Sequence, residues 1–172
     1  MSEYVPVIYL VNRDNLLTEV NEGWAAFAQA NQGDAIPASA VLGRSVLEFV
    51  SGKVTKQYWQ NLLERARASD KPVQVDYRCD APLLKRWMRM ELQVLEGGSL
   101  RISHQQIAQQ ARARPIYFAR SQQRGKYSYV RCSLCNKIKV AEQWLEPDCL
   151  SEGTASNTVI NVTYGLCGKC SE

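Results

Sequence analysis

The spacing of apolar residues changes twice along this chain. "VIYLV" at residues 7–11 and "NLLTEVN" at 15–21 read as two strands separated by the polar pair Arg13-Asp14. In "NEGWAAFAQANQG" the period becomes helical: Trp24, Phe27 and Ala28 fall at i, i+3 and i+4, and residues 31–33 supply a stop. "GRSVLEFV" reads as a short helical turn after Gly43. The longest predicted helix covers residues 53–68, with Val54, Tyr58, Leu62, Leu63 and Ala66 on one face and charged residues on the other. Residues 69–72 end it. The period then drops to two: Val73, Val75, Tyr77 and Cys79 alternate with Gln74, Asp76 and Arg78, and "DAP" turns the chain. Met88, Met90, Leu92 and Val94 face inward on the next strand, and Leu100, Ile102 and His104 share a face of the last. Two strands, several helices and three antiparallel strands predict an α+β domain, with the helices on one face of a five-stranded antiparallel sheet.

These stretches resemble bacterial PAS sensor domains, above all those with a Trp and a Phe in the first helix. The matching segments are "VNEGWAAFAQANQG", "VLGRSVLEF", "VDYRCDAPLLKRWMRMELQVL" and "SLRISHQQI", over roughly residues 5–108. Gln106, Ile107 and Ala108 stand where many PAS domains close with Asp-Ile-Thr, so the resemblance does not extend to the usual exit of a signal into a following helix. It implies a sensory domain that binds a partner or small ligand and commonly dimerises. Trp24, Phe27, Tyr77, Met88, Met90 and His104 would line a ligand pocket, although large apolar residues at these spacings also suit a filled core. A covalent flavin site is unsupported, because no cysteine precedes Cys79. His104 is the chain's single histidine and the one axial ligand a haem could find; a packed, hydrogen-bonded histidine is the simpler reading. Trp87 lies on the opposite side of the alternation from Met88 and Met90, where an aromatic among arginines suits a partner contact. Cys79 reads as a small buried hydrophobe.

Charge divides the chain further. The net charge is +4, yet residues 1–104 are balanced. Residues 105–139 hold eight basic side chains and no acid, and residues 140–172 hold one lysine and five acids. This predicts a neutral domain at 1–108, a basic linker at 109–128 and a cysteine-bearing module at 129–172. "QQIAQQARARP" suggests a short exposed helix or an extended tether, broken at Pro115. Arg112, Arg114, Arg120, Arg124 and Lys126, with tyrosines and Phe118 between them, could contact phosphates and bases of a nucleic acid; a solvated linker is the plainer alternative. The apolar run at the start is short, lacks a basic flank and meets Asn12, Arg13 and Asp14, so neither signal peptide nor membrane span is expected. A cytoplasmic protein follows, with thiols kept reduced.

Four of the six cysteines form two pairs, Cys132-x2-Cys135 and Cys167-x2-Cys170, with thirty-one residues between them. A two-residue spacer lets one tight turn aim two sulfurs at one ion, and two such turns complete a tetrahedral site for zinc. Four protein ligands leave no position for water, which makes the zinc structural and not catalytic. Arg131, Lys137, Lys139 and Lys169 around the pairs fit the negative charge such a site keeps. Cys149 reads as a bystander. "CSLCNKIKV", Trp144 and "TYGLCGKC" are similar to the cysteine-rich, zinc-ribbon-like tail that follows some bacterial sensor and receiver domains. A histidine is common in that tail where Tyr164 stands, and no extra ligand is implied there.

No nucleophile with a base, Gly-rich phosphate loop or convincingly spaced carboxylate pair is found, so an enzyme is not expected. The sequence points to a bacterial sensory or adaptor protein with regulatory protein partners, a homodimer, holding Zn2+ and admitting a small molecule in its PAS core. A nucleic-acid-binding zinc-ribbon protein is the alternative.

Overall fold

The computed structural model describes residues 5–25, 37–121, 128–150 and 158–171. Phe27, Ala28, the expected helix stop at 31–33, Arg124 and Lys126 lie outside the described residues. The chain divides into two compact units. One comprises Met1–Val50, Lys56–Asp76 and Met88–Ile107, the other Ser51–Thr55, Tyr77–Trp87 and Ala108–Glu172.

The first unit is built on a five-stranded antiparallel sheet of β1 (Val7–Val11), β2 (Leu17–Val20), β3 (Val73–Arg78), β4 (Leu84–Val94) and β5 (Leu100–Ala111), in the order β2-β1-β5-β4-β3. Between β2 and β3 come α1 (Ala38–Val41), a 3-10 turn (Val46–Phe49) and α2 (Lys53–Arg67). This is the α+β class with a five-stranded antiparallel sheet that the sequence predicts. Val7, Tyr9 and Val11 alternate inward on β1, which pairs with β5 from Val7 opposite His104 to Val11 opposite Leu100. Leu62, Leu63 and Ala66 of α2 join Met88, Met90, Leu92, Leu100 and Ile102 among the buried apolar residues. At the start of α2 the expected face is off by one position: Val54 is exposed and Thr55 is buried. Thr55 lies seven residues before Leu62, about two helical turns, so the helix's own period selects it.

Arg67 closes the helix against two turns of the first unit. Its guanidinium donates to the carbonyls of Gly98 and Asn12 at 3.0 and 2.9 Å and to Asn15 Oδ1 at 2.8 Å. One planar donor group thus ties the β1–β2 turn to the β4–β5 turn, a geometry that a lysine ammonium cannot reproduce.

The second unit holds a second sheet, of order β6-β10-β7-β8-β9. Its strands are β6 (Ile116–Arg120), β7 (Tyr129–Cys132), β8 (Ile138–Val140), β9 (Gln143–Leu145) and β10 (Thr158–Gly165). The β7–β8 and β8–β9 pairs are antiparallel, whereas β10 runs parallel to both β6 and β7. Ile116, Ile160 and Val162 form its core, with Phe118, Tyr129, Leu150 and Tyr164 packed against them. Much of the expected linker is therefore regular structure. Residues 109–111 end β5, and residues 116–120 form β6, whose Ile-Tyr-Phe run has the β-branched and aromatic residues that strands favour. Pro115 precedes this edge strand and costs it no ladder hydrogen bond.

Candidate metal centre

Parallel pairing builds the four-cysteine site. β7 and β10 run side by side in the same direction, in a register that sets Tyr164 beside Arg131 and Gly165 beside Cys132. Both strands therefore end at the same end of the sheet, and each passes at once into a Cys-x2-Cys turn. In the first turn the Cys132 N–H donates to the Lys137 carbonyl at 2.8 Å, and the Asn136 N–H donates to the Cys132 carbonyl at 3.0 Å. Asn136 takes φ 62, a left-handed value that asparagine tolerates better than most residues. The second turn runs into the short helix α3 (Gly168–Ser171), where the Cys170 N–H donates to the Cys167 carbonyl at 3.0 Å. The Ser133 N–H donates to the Gly165 carbonyl at 2.9 Å, joining the two turns.

The sulfurs of Cys132, Cys135, Cys167 and Cys170 all lie within 4.8 Å of one another. Cys135 and Cys167 are 3.7 Å apart at Sγ. None of the six cysteines is in a disulfide. A tetrahedral site with metal–sulfur bonds of about 2.3 Å has sulfur–sulfur edges of about 3.8 Å, so the spacing suits one ion held by four thiolates. The Cys167 N–H also points at Cys132 Sγ, 3.4 Å away, as a donor to a thiolate would. The thiols alone do not ionise together. Cys132 is pushed down to about 4, first by the hydrogen bond from Cys135, and Cys135 is pushed up by that same bond. Cys170 is pushed up to about 12, first by burial. A divalent cation would remove this conflict by making all four anionic. The cluster can hold a metal ion.

The other cysteines stand apart from it. Cys149 is exposed, in the 3-10 turn Pro147–Leu150, and Cys79 is half-buried, with burial pushing its thiol up.

A second polar group in the same unit was not expected. The Asp80 carboxylate, 1% exposed, receives the Arg78 guanidinium on both oxygens, at 2.9 and 2.6 Å, and Arg112 Nη2 at 2.8 Å. Arg78 also reaches Glu146 at 3.2 Å, and Lys85 lies 3.5 Å from Glu146 and 3.1 Å from Asp148. Burial alone would push Asp80 up. The two arginines outweigh it and hold the carboxyl below its ordinary range. Arg78 further stacks on Trp87, 4.8 Å from the ring centroid, which gives the half-buried Trp87 a partner inside the chain. The Arg78-x-Asp80 spacing was visible in the sequence. Arg112 was not recognisable as its partner from thirty-two residues away.

This cluster corrects one expectation. Arg112, read as a phosphate contact, has a side chain 1% exposed and engaged with Asp80. Arg114 and Arg120 are exposed. Arg131 is turned onto the Phe118 ring at 3.8 Å, and burial lowers its pKa.

The residues read as a possible ligand pocket are brought together only in part. Trp24 meets Tyr9 edge-on at 5.6 Å, and His104 stacks on Tyr9 at 5.4 Å, with Nε2 3.1 Å from the Tyr9 hydroxyl. Burial pushes His104 down to about 4. Met88 and Met90 are buried, at 1% and 2% exposure. Tyr77 belongs to the second unit. Tyr9, which contacts both Trp24 and His104, was not singled out from the sequence, because the unbroken apolar run of β1 does not say which of its residues face inward.

No protein-family model matches the chain, and no curated protein matches it. Among solved structures it is similar to the PAS domain of the RpfR quorum-sensing receptor of Cronobacter turicensis in complex with BDSF, at 14% identity and TM-score 0.46, over 63% of this chain and 99% of that one. It is also similar to the PAS domain of an HTR-like protein from Haloarcula marismortui, at 18% identity and TM-score 0.42, over 59% and 81%. A third is a sensory box sensor histidine kinase from Vibrio cholerae, at 11% identity and TM-score 0.43, over 60% and 82%. Likeness at this level assigns this chain no ligand and no residue roles; its fold class rests on its own strand order. Among the described residues, no helix is long and apolar enough to cross a membrane.

Proposed function

We propose that this chain is a small bacterial sensory or adaptor protein, in which a PAS-like domain binds a protein partner or small ligand and the four cysteines hold a structural zinc ion. The observation that carries the zinc reading is the gathering of four sulfurs within 4.8 Å at the ends of two parallel strands. Four soft thiolate donors in a closed tetrahedron suit zinc and leave no coordination position for catalysis. The protein would act by binding and not by turnover, as a cytoplasmic homodimer. Nucleic-acid binding is the weaker reading, since one of its arginines, Arg112, is buried against Asp80.

Native mass spectrometry of the untagged protein, compared with the same sample denatured, tests this directly. The expected result is an excess of one zinc per chain that disappears on denaturation. A further organic mass would place a ligand in the protein, and absence of any metal from freshly purified, reduced protein would overturn the zinc reading.

A further inference from the structure

The first cysteine turn does more than present two sulfurs. Its two intervening residues bind segments drawn from the middle of the sequence, all within the second unit. The Leu134 carbonyl accepts the Arg78 N–H at 2.6 Å, and Ser133 Oγ lies 2.8 Å from Thr55 Oγ1 in a hydroxyl pair. Thr55 and Leu134 are both buried, at 3% and 7% exposure, so water does not readily replace these bonds. The strand leading to the second turn is engaged as well. Gly52 has φ +87, and a Cβ on it would stand 3.0 Å from the Tyr164 carbonyl, three residues before Cys167. Thr55 sits in the first turn of α2, and Arg78 ends β3. Both elements continue into residues of the first unit, α2 from Lys56 onward and β3 from Val73 to Asp76.

We propose that metal occupancy of the cysteine site works as a conformational latch on α2 and β3. With zinc bound, the Cys132–Cys135 turn is rigid and holds Thr55 through Ser133 and Arg78 through Leu134. Without it the turn loosens, and the first turn of α2 and the last residues of β3 lose their anchor. Zinc loss is thereby communicated to the start of α2 and the end of β3, with no other ligand needed. The inference rests on the zinc reading of the cluster.

Hydrogen exchange followed by mass spectrometry on the full chain tests it, with the zinc-loaded protein compared before and after zinc removal by a chelator. The Arg78 amide is itself the donor to Leu134, so it reports directly. Amides in residues 53–58 report the Thr55 end, and those in 60–67 serve as a control within the same helix. Zinc removal is expected to speed exchange at Arg78 and at 53–58 by roughly two- to tenfold, the effect of losing single hydrogen bonds. The control should change less. Thr55→Val should retain one zinc per chain while the zinc-dependent change at 53–58 shrinks and that at Arg78 persists. The latch is overturned if residues 132–136 and 165–170 respond to zinc removal but Arg78 and 53–58 do not, or if Thr55→Val responds as the unaltered chain does. If the protein carries no zinc, and added zinc protects no part of the cysteine turns, the metal reading itself fails and the latch with it.

Discussion

Serine in place of Cys132 or Cys167 is expected to abolish zinc retention and to unfold the second unit. The expected loss is large because the metal supplies much of what holds these strands. Structural zinc contributes apparent binding free energies of about 10–16 kcal/mol in small zinc domains, while whole domains are stable by only about 5–15 kcal/mol. The apolar core of this unit is small, centred on Ile116, Ile160 and Val162. A serine hydroxyl does not ionise at neutral pH and is a poor zinc ligand, and a three-cysteine remnant loses the closed tetrahedron. Limited proteolysis with mapping of the fragments, together with zinc measured by inductively coupled plasma spectrometry, gives the result. Cleavage should appear across residues 129–171, with the first unit's strands persisting longest. Cys149→Ser is the control, since Cys149 is exposed and outside the cluster. Unchanged protease resistance in Cys132→Ser, with zinc lost, would show that the strands stand without the metal.

The cysteine pairs were legible because a metal site of this kind is written in local spacing. Each two-residue spacer makes one turn, and only the meeting of two turns had to be supplied by the fold. The later sheet strands were legible for a similar reason: alternation at Met88, Met90 and Leu92 is a local record of which face is buried, whereas the unbroken apolar run Val7–Val11 marks a strand without saying which side faces inward. What escaped was non-local. Nothing near residues 158–165 says that β10 inserts between β6 and β7 in parallel register, and a basic composition hid the strand at Ile116–Arg120. Counting charges likewise treated Arg112 as solvated. A charge run records composition, and only the fold decides that one member turns inward to meet Asp80. Thr55 in place of Val54 on the buried side of α2 has the same origin, because polarity alone cannot say that a hydroxyl has a partner in Ser133.

Asp80→Ala is expected to destabilise the second unit by about 3–5 kcal/mol, the cost of removing one partner from a buried ion pair. Arg112 and Arg78 have side chains 1% and 6% exposed, so neither can turn to water without displacing its surroundings. Arg78 keeps Glu146, whereas Arg112 is left with the Ala81 and Leu84 carbonyls at 3.3 and 3.5 Å and the Asp148 carboxylate at 3.5 Å from Nε. Pairing Asp80→Ala with Arg112→Met should restore part of the loss, since it removes the stranded charge as well. Urea denaturation of the zinc-loaded full chain measures both; equal stability of Asp80→Ala and the unaltered protein would mean that the cluster is hydrated and holds nothing. Acid should act in the same direction, at a low pH. Because the folded Asp80 lies below the ordinary carboxylate value of about 3.9, its contribution is complete above that pH and is lost as the pH falls through the folded value. His104 behaves differently. It titrates near 6.5 in the unfolded chain and is pushed down to about 4 when folded, so the unfolded state binds more protons between these values. The first unit should therefore begin to lose stability as the pH drops below about 6.5, while the part of the second unit's stability that depends on Asp80 persists to below about 4. Hydrogen exchange at a series of pH values, corrected for the intrinsic rate, separates the two: His104→Phe should flatten the upper step, and Asp80→Asn should remove the lower one.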